Sequence, residues 1–347
     1  METVAFLGKL LESWGATYAT LLAAIGDRVG LFTALAPEPA TAGELAARAG
    51  LDERYVAEWC AGMTAAGYLT HDVATGAFTL PAEHAVALAQ EGNPFFIGGG
   101  YQTLLGLLGV VDQVTDAFRT GAGVPYAEYP VDTFDGMARL TGAAHENVLV
   151  PGWLPTMPSV VAALERGVRV VDVGCGQGRA LLAMAHAFPR STFVGVDAVR
   201  ANAERAAARA GALELGTRVQ FVAADALVDM PPGPFDVACA FDVLHDSRDP
   251  VGLLQAIRSS LAPGGQLLLL EPNTAPDIEG NAGPLGAMNY GISILYCMSV
   301  SLGSGGPGLG TCGTSEPIVR SLCAEAGFAS VDEAPIDNLF NRMYLVR

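Results

Sequence analysis

Apolar residues recur at helical spacing from Ala16 to Ala36, and Pro37 with Pro39 closes that segment. Thr41-Ala42-Gly43-Glu44 has the form of a capping box and opens a short helix that Gly50 ends; a third helix is predicted from Asp52 to about Ala66. Leu69 to Leu80, interrupted at Thr75-Gly76, reads as two short strands around a tight turn. Three helices followed by a hairpin is the winged-helix pattern. Residues 94–165 read as mostly helical, with breaks at Gly98-Gly99-Gly100 and from Pro125 to Pro130. From Val168 onward short apolar strands alternate with helices: Val168 to Val173, Thr192 to Val196, Val219 to Ala223, Phe235 to Phe241 and Gln266 to Glu271. Such alternation predicts a parallel sheet covered on both faces.

The first of these strands breaks into glycines, as Val170-Val171-Asp172-Val173-Gly174-Cys175-Gly176-Gln177-Gly178. A β-branched strand ending this way makes the turn at the carboxyl edge of a parallel sheet, where a nucleotide-like ligand can approach bare backbone. A dinucleotide fingerprint needs a third glycine where this chain has Arg179, which disfavours NAD and FAD. Nineteen residues after Gly178 a second strand ends in Asp197, the spacing at which a carboxylate reaches ribose hydroxyls.

With Ala224-Asp225-Ala226 after the next strand, these motifs resemble those of the class I S-adenosylmethionine (SAM) methyltransferases over residues 168–347. The resemblance implies an α/β fold, a Rossmann-like seven-stranded methyltransferase sheet whose last, antiparallel strand lies near Met343 to Val346. It also implies SAM as cofactor, surrounded by Asp172, Gly174, Gly176, Gly178, Asp197, Ala198, Asp225, Ala226 and Phe241. The absence of a phosphate-binding lysine fits a ligand that carries a sulfonium and an amino acid tail in place of phosphates.

The strand Phe235 to Phe241 runs into Asp242-Val243-Leu244-His245-Asp246, which resembles the His-Asp motif of winged-helix O-methyltransferases. In that family the histidine takes a proton from the acceptor hydroxyl, a task that suits an imidazole with an unperturbed pKa of about 6.5. By the same resemblance Asp246 belongs to the catalytic group, and Glu271, ending the next strand, orients His245. A second glutamate of the plant enzymes falls at Gly313 here, so their base constellation is incomplete. The insertion 272–313, through Tyr290 to Leu302 and Gly308 to Gly313, is similar to a bacterial group that includes C-methyltransferases of 2-oxo acids. In metal-using members two histidines hold a cation; the corresponding positions here are His245 and Tyr296. One imidazole makes a weak site, so Tyr296 is expected to shape the acceptor pocket and no metal is expected.

Composition narrows the partners. The 347 residues include 51% hydrophobic and 16% charged residues, enough for a large core, and suggest two domains at roughly 150 residues each. Cysteines 60, 175, 239, 297, 312 and 323 show no C-x-x-C spacing, which predicts free thiols. A net charge of −17, and a winged-helix segment with only Arg48 and Arg54 as cations between Thr41 and Leu80, argue against nucleic acid. No signal peptide and no membrane span are expected, hence a cytoplasmic protein. Histidines 71 and 84 fall in the winged-helix region, His145 has no motif behind it, and His186 is expected to pack in mid-helix.

The domains are drawn at 1–93 (winged helix, with a homodimer expected through apolar surface along Tyr18 to Phe32), 94–165 (a helical connector lining the acceptor pocket) and 166–347 (the SAM-binding catalytic domain). The sequence reading is a SAM-dependent methyltransferase of a small, natural-product type molecule. It favours C-methylation of an enolisable carbonyl compound such as a 2-oxo acid, with O-methylation of a phenol or enol as the alternative. A SAM-binding rearrangement enzyme and a SAM-sensing transcription factor are the further alternatives.

Overall fold

The computed structural model describes residues 2–347. The chain divides into two compact units: residues 1–106 with 130–144, and residues 107–129 with 145–347.

In the first unit a helix spans Glu2–Arg28, fourteen residues earlier than the periodicity at Ala16 suggests. Its opening turns keep Phe6, Leu7, Leu11, Trp14 and Tyr18 exposed, so no buried stripe marks them as helical. Short helices follow at Leu31–Leu35 and Ala42–Ala49. The second has the full capping box, with Thr41 and Glu44 each accepting from the other's backbone N–H, and ends on Gly50 in the left-handed region. Asp52 caps the helix Glu53–Ala65 by accepting from the N–H groups of Arg54 and Tyr55. Strands β1 (Thr70–Asp72) and β2 (Ala77–Thr79) form the antiparallel wing. Phe32, Leu35, Leu45, Val56, Trp59 and Met63 fill this core, and Trp59 donates its indole N–H to the Leu22 carbonyl at 2.8 Å. Two further helices, Gly98–Leu108 and Val131–Asn147, cross closely within this unit because Gly99, Gly106 and Gly136 leave no room for a Cβ.

The second unit contains a seven-stranded sheet: β3 (Arg169–Val173), β4 (Thr192–Asp197), β5 (Val219–Ala223), β6 (Phe235–Phe241), β7 (Leu261–Pro272), β8 (Val331–Ala334) and β9 (Asn341–Val346), in the order β5-β4-β3-β6-β7-β9-β8. The first five in this order run parallel; β9 is antiparallel to both neighbours. The chain reverses its direction of winding between β3 and β6, and the carboxyl ends of these two strands form the crevice where such sheets bind ligands. Val171, Val173, Val196, Phe235, Leu254, Ile257, Leu267, Leu269 and Tyr344 make up the central core.

Three local expectations change. The strand β7 begins at Leu261, not Gln266, because the Pro263-Gly264-Gly265 segment bulges: Phe235 pairs with Leu261 and Val237 with Gln266. His186 is exposed on the helix Arg179–Ala187 and packs in no core. The insertion is mainly helical, and its run Pro284–Gly303 is long and apolar enough by length and composition to cross a membrane. Within this unit it is pinned by hydrogen bonds: Tyr129 donates to the Leu295 carbonyl at 2.9 Å, and the Val124 N–H to the Ser299 carbonyl at 2.9 Å.

Candidate active site

The glycine turn after β3 has Gly174, Gly176 and Gly178 all at positive φ. A Cβ on Gly174 would lie 2.5 Å from Val243, so only glycine lets this turn approach the end of β6. Asp197, at the end of β4, accepts from Gly176 N–H at 2.8 Å, Val199 N–H at 2.9 Å and the Asn202 amide at 3.3 Å. Burial raises its pKa, and those donors oppose the rise. Asp172 is 2% exposed; burial and the neighbouring Asp197 push its carboxyl up to about 8. Asp225 accepts from Leu227 N–H at 2.9 Å and from Arg248 at 2.7 Å, Ala226 is buried behind it, and Ala198 is exposed beside Asp197. A bare-backbone turn, an acid nineteen residues on and an acid-lined, lysine-free edge fit a cationic adenosyl group.

The second cluster grows from the other strand of the crevice. After Phe241, Asp242 takes a left-handed conformation (φ 55°) that turns the chain sharply. Its N–H donates to the Leu270 carbonyl at 2.8 Å, and its carboxylate accepts from Asn341 at 2.6 Å. The turn delivers Leu244-His245-Asp246 as one 3-10 turn, all three residues buried. Glu271, fully buried at the end of β7, accepts from the Leu244 N–H at 2.8 Å through one oxygen and meets His245 Nδ1 at 2.9 Å through the other. This fixes the ring and leaves Nε2 to face elsewhere.

Cys297 lies within hydrogen-bonding reach of the ring. Burial drives the His245 proton off, but Cys297 and the Glu271 carboxylate beside the ring outweigh it, and the imidazole pKa stands well above its usual value. Cys297 is itself held by the Thr311 hydroxyl, 3.2 Å from its sulfur. The Gly310 N–H donates to the His245 carbonyl at 3.0 Å. Gly310 is obligatory at φ 70°, since a Cβ there would lie 2.1 Å from Ser293 Oγ.

Tyr296 stands one residue away and faces a different group. Its ring packs edge-on against Tyr126 (6.0 Å between centroids) and Tyr129 (5.0 Å). Tyr126 donates to Asp246 at 2.9 Å, and burial lifts the Asp246 carboxyl to about 6. Among the described residues no group of three or more His, Cys, Asp and Glu is arranged to hold a metal. The sequence reading sets Tyr296 opposite His245; the structure packs Tyr296 on Tyr126 and Tyr129 and puts Cys297, which the sequence reading did not single out, beside His245. Ser293–Cys297 forms a π-helical turn, which carries both Tyr296 and Cys297.

The comparisons agree with this architecture. Residues 152–291 match a family model described as a methyltransferase domain, and residues 17–90 one described as an Rv2258c-like winged HTH domain. The ubiquinone biosynthesis O-methyltransferase of Pseudomonas putida (strain GB-1) is 33% identical over 135 residues, 38% of this chain and 54% of that protein. The chain thus spans about half the length of the curated relatives it matches. The structure of PigF with SAH is similar over 98% of this chain and 97% of PigF, with a TM-score of 0.75 at 18% identity. That of the mitomycin 7-O-methyltransferase MmcR gives 0.73 at 18% identity, over 100% of this chain and 98% of MmcR. The chain carries a SAM-dependent methyltransferase domain behind an N-terminal winged helix-turn-helix domain.

Proposed function

We propose that the protein is a SAM-dependent O-methyltransferase of a small hydroxylated acceptor, a phenol or enol, with His245 as the general base. The observation that carries this reading is the buried His245–Glu271 pair, 2.9 Å apart, at the end of β6. The cofactor, when bound, supplies an electrophilic methyl group on a sulfonium. Glu271 holds the His245 ring in one tautomer and stabilises its protonated form, so that Nε2 can take the proton of an acceptor hydroxyl. Burial raises the carboxyls of Asp172, Asp197, Asp242 and Asp246, and a sulfonium bound beside them would favour their ionised form, so this edge suits a cationic cofactor. Holding the nucleophile in line with the methyl group supplies much of the acceleration.

The sequence leaned toward carbon as the methylated atom. O-methyltransferases among both the curated relatives and the structural neighbours favour oxygen instead. The test is incubation with SAM and a panel of phenols, enols and 2-oxo acids, with the new methyl group located by NMR. A methyl on oxygen that disappears in His245→Ala supports the reading. A methyl on carbon, or methylation undiminished in that variant, overturns it.

We further propose a homodimer through the N-terminal helix. Phe32 lies in its own core at 1% exposure, which moves the docking face to the helix start, where Leu11, Trp14 and Tyr18 are 65%, 63% and 69% exposed. Light scattering should give twice the chain mass for the wild type and one chain for Leu11→Asp/Trp14→Asp. A monomeric wild type at micromolar concentration refutes this.

A further inference from the structure

Beside His245 stands a nucleophile that methyl transfer does not use. Cys297 closes the π-helical turn Ser293–Cys297 and lies within hydrogen-bonding reach of the His245 ring. Glu271, 2.9 Å from Nδ1, orients that ring. The Cys297 sulfur accepts a hydrogen bond from the Thr311 hydroxyl at 3.2 Å. The segment that carries Thr311 is itself tied to both neighbours: the Thr311 N–H donates to Ser293 Oγ at 3.2 Å, and the Gly310 N–H to the His245 carbonyl at 3.0 Å. Thiol, imidazole and carboxylate thus form one connected row.

A thiol beside an imidazole that a carboxylate orients is the arrangement that makes a cysteine nucleophilic. The imidazole can take the thiol proton, and the carboxylate stabilises the imidazolium that results. The remaining thiols are placed differently. Burial pushes those of Cys60, Cys175, Cys239, Cys312 and Cys323 up, which keeps them protonated and slow to react. Cys312 is the informative contrast, because it follows Thr311 in the 3-10 turn Thr311–Gly313 and is more exposed than Cys297. Hydrogen peroxide is scarcely larger than water, and neither member of the pair is sealed: His245 is 6% exposed and Cys297 4%.

We propose that Cys297 is a reversible oxidation site at which the His245–Glu271 pair activates the thiol toward a peroxide. The thiol proton passes to His245. The sulfur attacks one peroxide oxygen, which keeps its hydrogen; the O–O bond breaks as the S–O bond forms, and the proton goes to the departing hydroxide. Thiol and peroxide thereby become sulfenic acid and water, and a small dithiol reverses the change through a mixed disulfide. The added oxygen enters a packed corner and competes with the acceptor for the His245 ring, so methyl transfer stops. Only this last consequence rests on reading His245 as the base.

Treating the full chain with hydrogen peroxide and dimedone, which caps sulfenic acids, and mapping the label by mass spectrometry tests the site without acceptor or cofactor. Cys297 should be labelled about tenfold or more faster than Cys312 although Cys312 is the more exposed, and His245→Gln should remove that advantage. Cys60 and Cys323, unlabelled throughout, report that the variant is folded; if they are labelled, Glu271→Gln makes the same comparison. Turnover after peroxide alone should fall in the wild type, return with dithiothreitol, and resist peroxide in Cys297→Ser. Cys312→Ser should keep both wild-type activity and wild-type sensitivity. Labelling that follows exposure, with Cys312 ahead of Cys297, overturns the proposal, as does a Cys297 rate that folded His245→Gln leaves unchanged. Rapid Cys297 labelling with turnover undiminished leaves the oxidation site standing and overturns the base reading of His245 instead.

Discussion

Two histidines border the end of β6, His245 just past it and His145 tilted against Phe241 at 5.7 Å, and the corners around them treat protons in opposite ways. Both rings are desolvated, which by itself drives protons off. At His145 the neighbouring charge is the Arg179 guanidinium, which adds to that effect, and the pKa falls to about 4. At His245 the neighbours are Cys297 and Glu271, which together override burial and raise the pKa well above 6.5. Burial sets the scale of each shift, and the sign of the nearest partner decides its direction. A ring held protonated and a ring held neutral thus share one sheet edge.

The comparison breaks most visibly at His245. His245→Ala should cost on the order of 100- to 10,000-fold in turnover while leaving S-adenosylhomocysteine affinity unchanged, as checked by rate assays and calorimetry. An equal loss of cofactor affinity would make the residue structural. Glu271→Gln removes the anion but keeps the shape, and misorientation should lower turnover by up to roughly 100-fold. It also has a signature that lost packing lacks. A base must be neutral to act, so acceptor turnover in the wild type should rise with pH through the elevated His245 pKa. Without the carboxylate that limb moves to lower pH; a limb that stays in place would remove Glu271 from the argument.

The glycine turn and the acid after it were legible because they fall in consecutive elements. Gly174 to Gly178 follow directly on a β-branched strand and Asp197 ends the next one, so strand, turn and acid leave a pattern that can be read in order. His245, just past the end of β6, and Glu271, at the end of β7, were singled out by the resemblance of their segments to a family motif. The rest depends on packing across long stretches of chain. Cys297 lies beside His245 in a π-turn, and Trp153 sits in a second π-turn that no apolar period announces. His145 lacks any motif, and its state is set by Arg179, thirty-four residues away. The N-terminal boundary was misread for a related reason, because the first helix buries too little of itself to show a stripe.

Cys297 gives a smaller effect than Glu271, and two substitutions sharpen it. In Cys297→Ala the ring loses its second partner, so the rising limb of the acceptor pH profile should move to lower pH, with turnover changed by less than in Glu271→Gln. Cys297→Ser retains a hydrogen-bonding group held by Thr311 and should stay closer to the wild type. If alanine and serine behave alike and neither shifts the limb, the contact is incidental.

The smallest effect belongs to His145, and its measurement is stability. A histidine whose folded pKa is depressed contributes stability that is present above its unfolded value and lost as pH falls through the folded one. For His145 that window runs from 6.5 down to about 4, where the unfolded chain takes up a proton that the folded corner refuses. Thermal melts of the wild type across this range should therefore fall more steeply than those of His145→Gln, which keeps a polar group without a titrating one. Above pH 7 the two curves should run parallel, and the acceptor pH profile should be the same for both. The elevated His245 contributes in the opposite sense, since its stabilisation is present below 6.5 and fades as pH rises through its folded pKa. Parallel melts between pH 4 and 6.5 would mean that water reaches the His145 ring, and the contrast between the two corners would then rest on His245 alone.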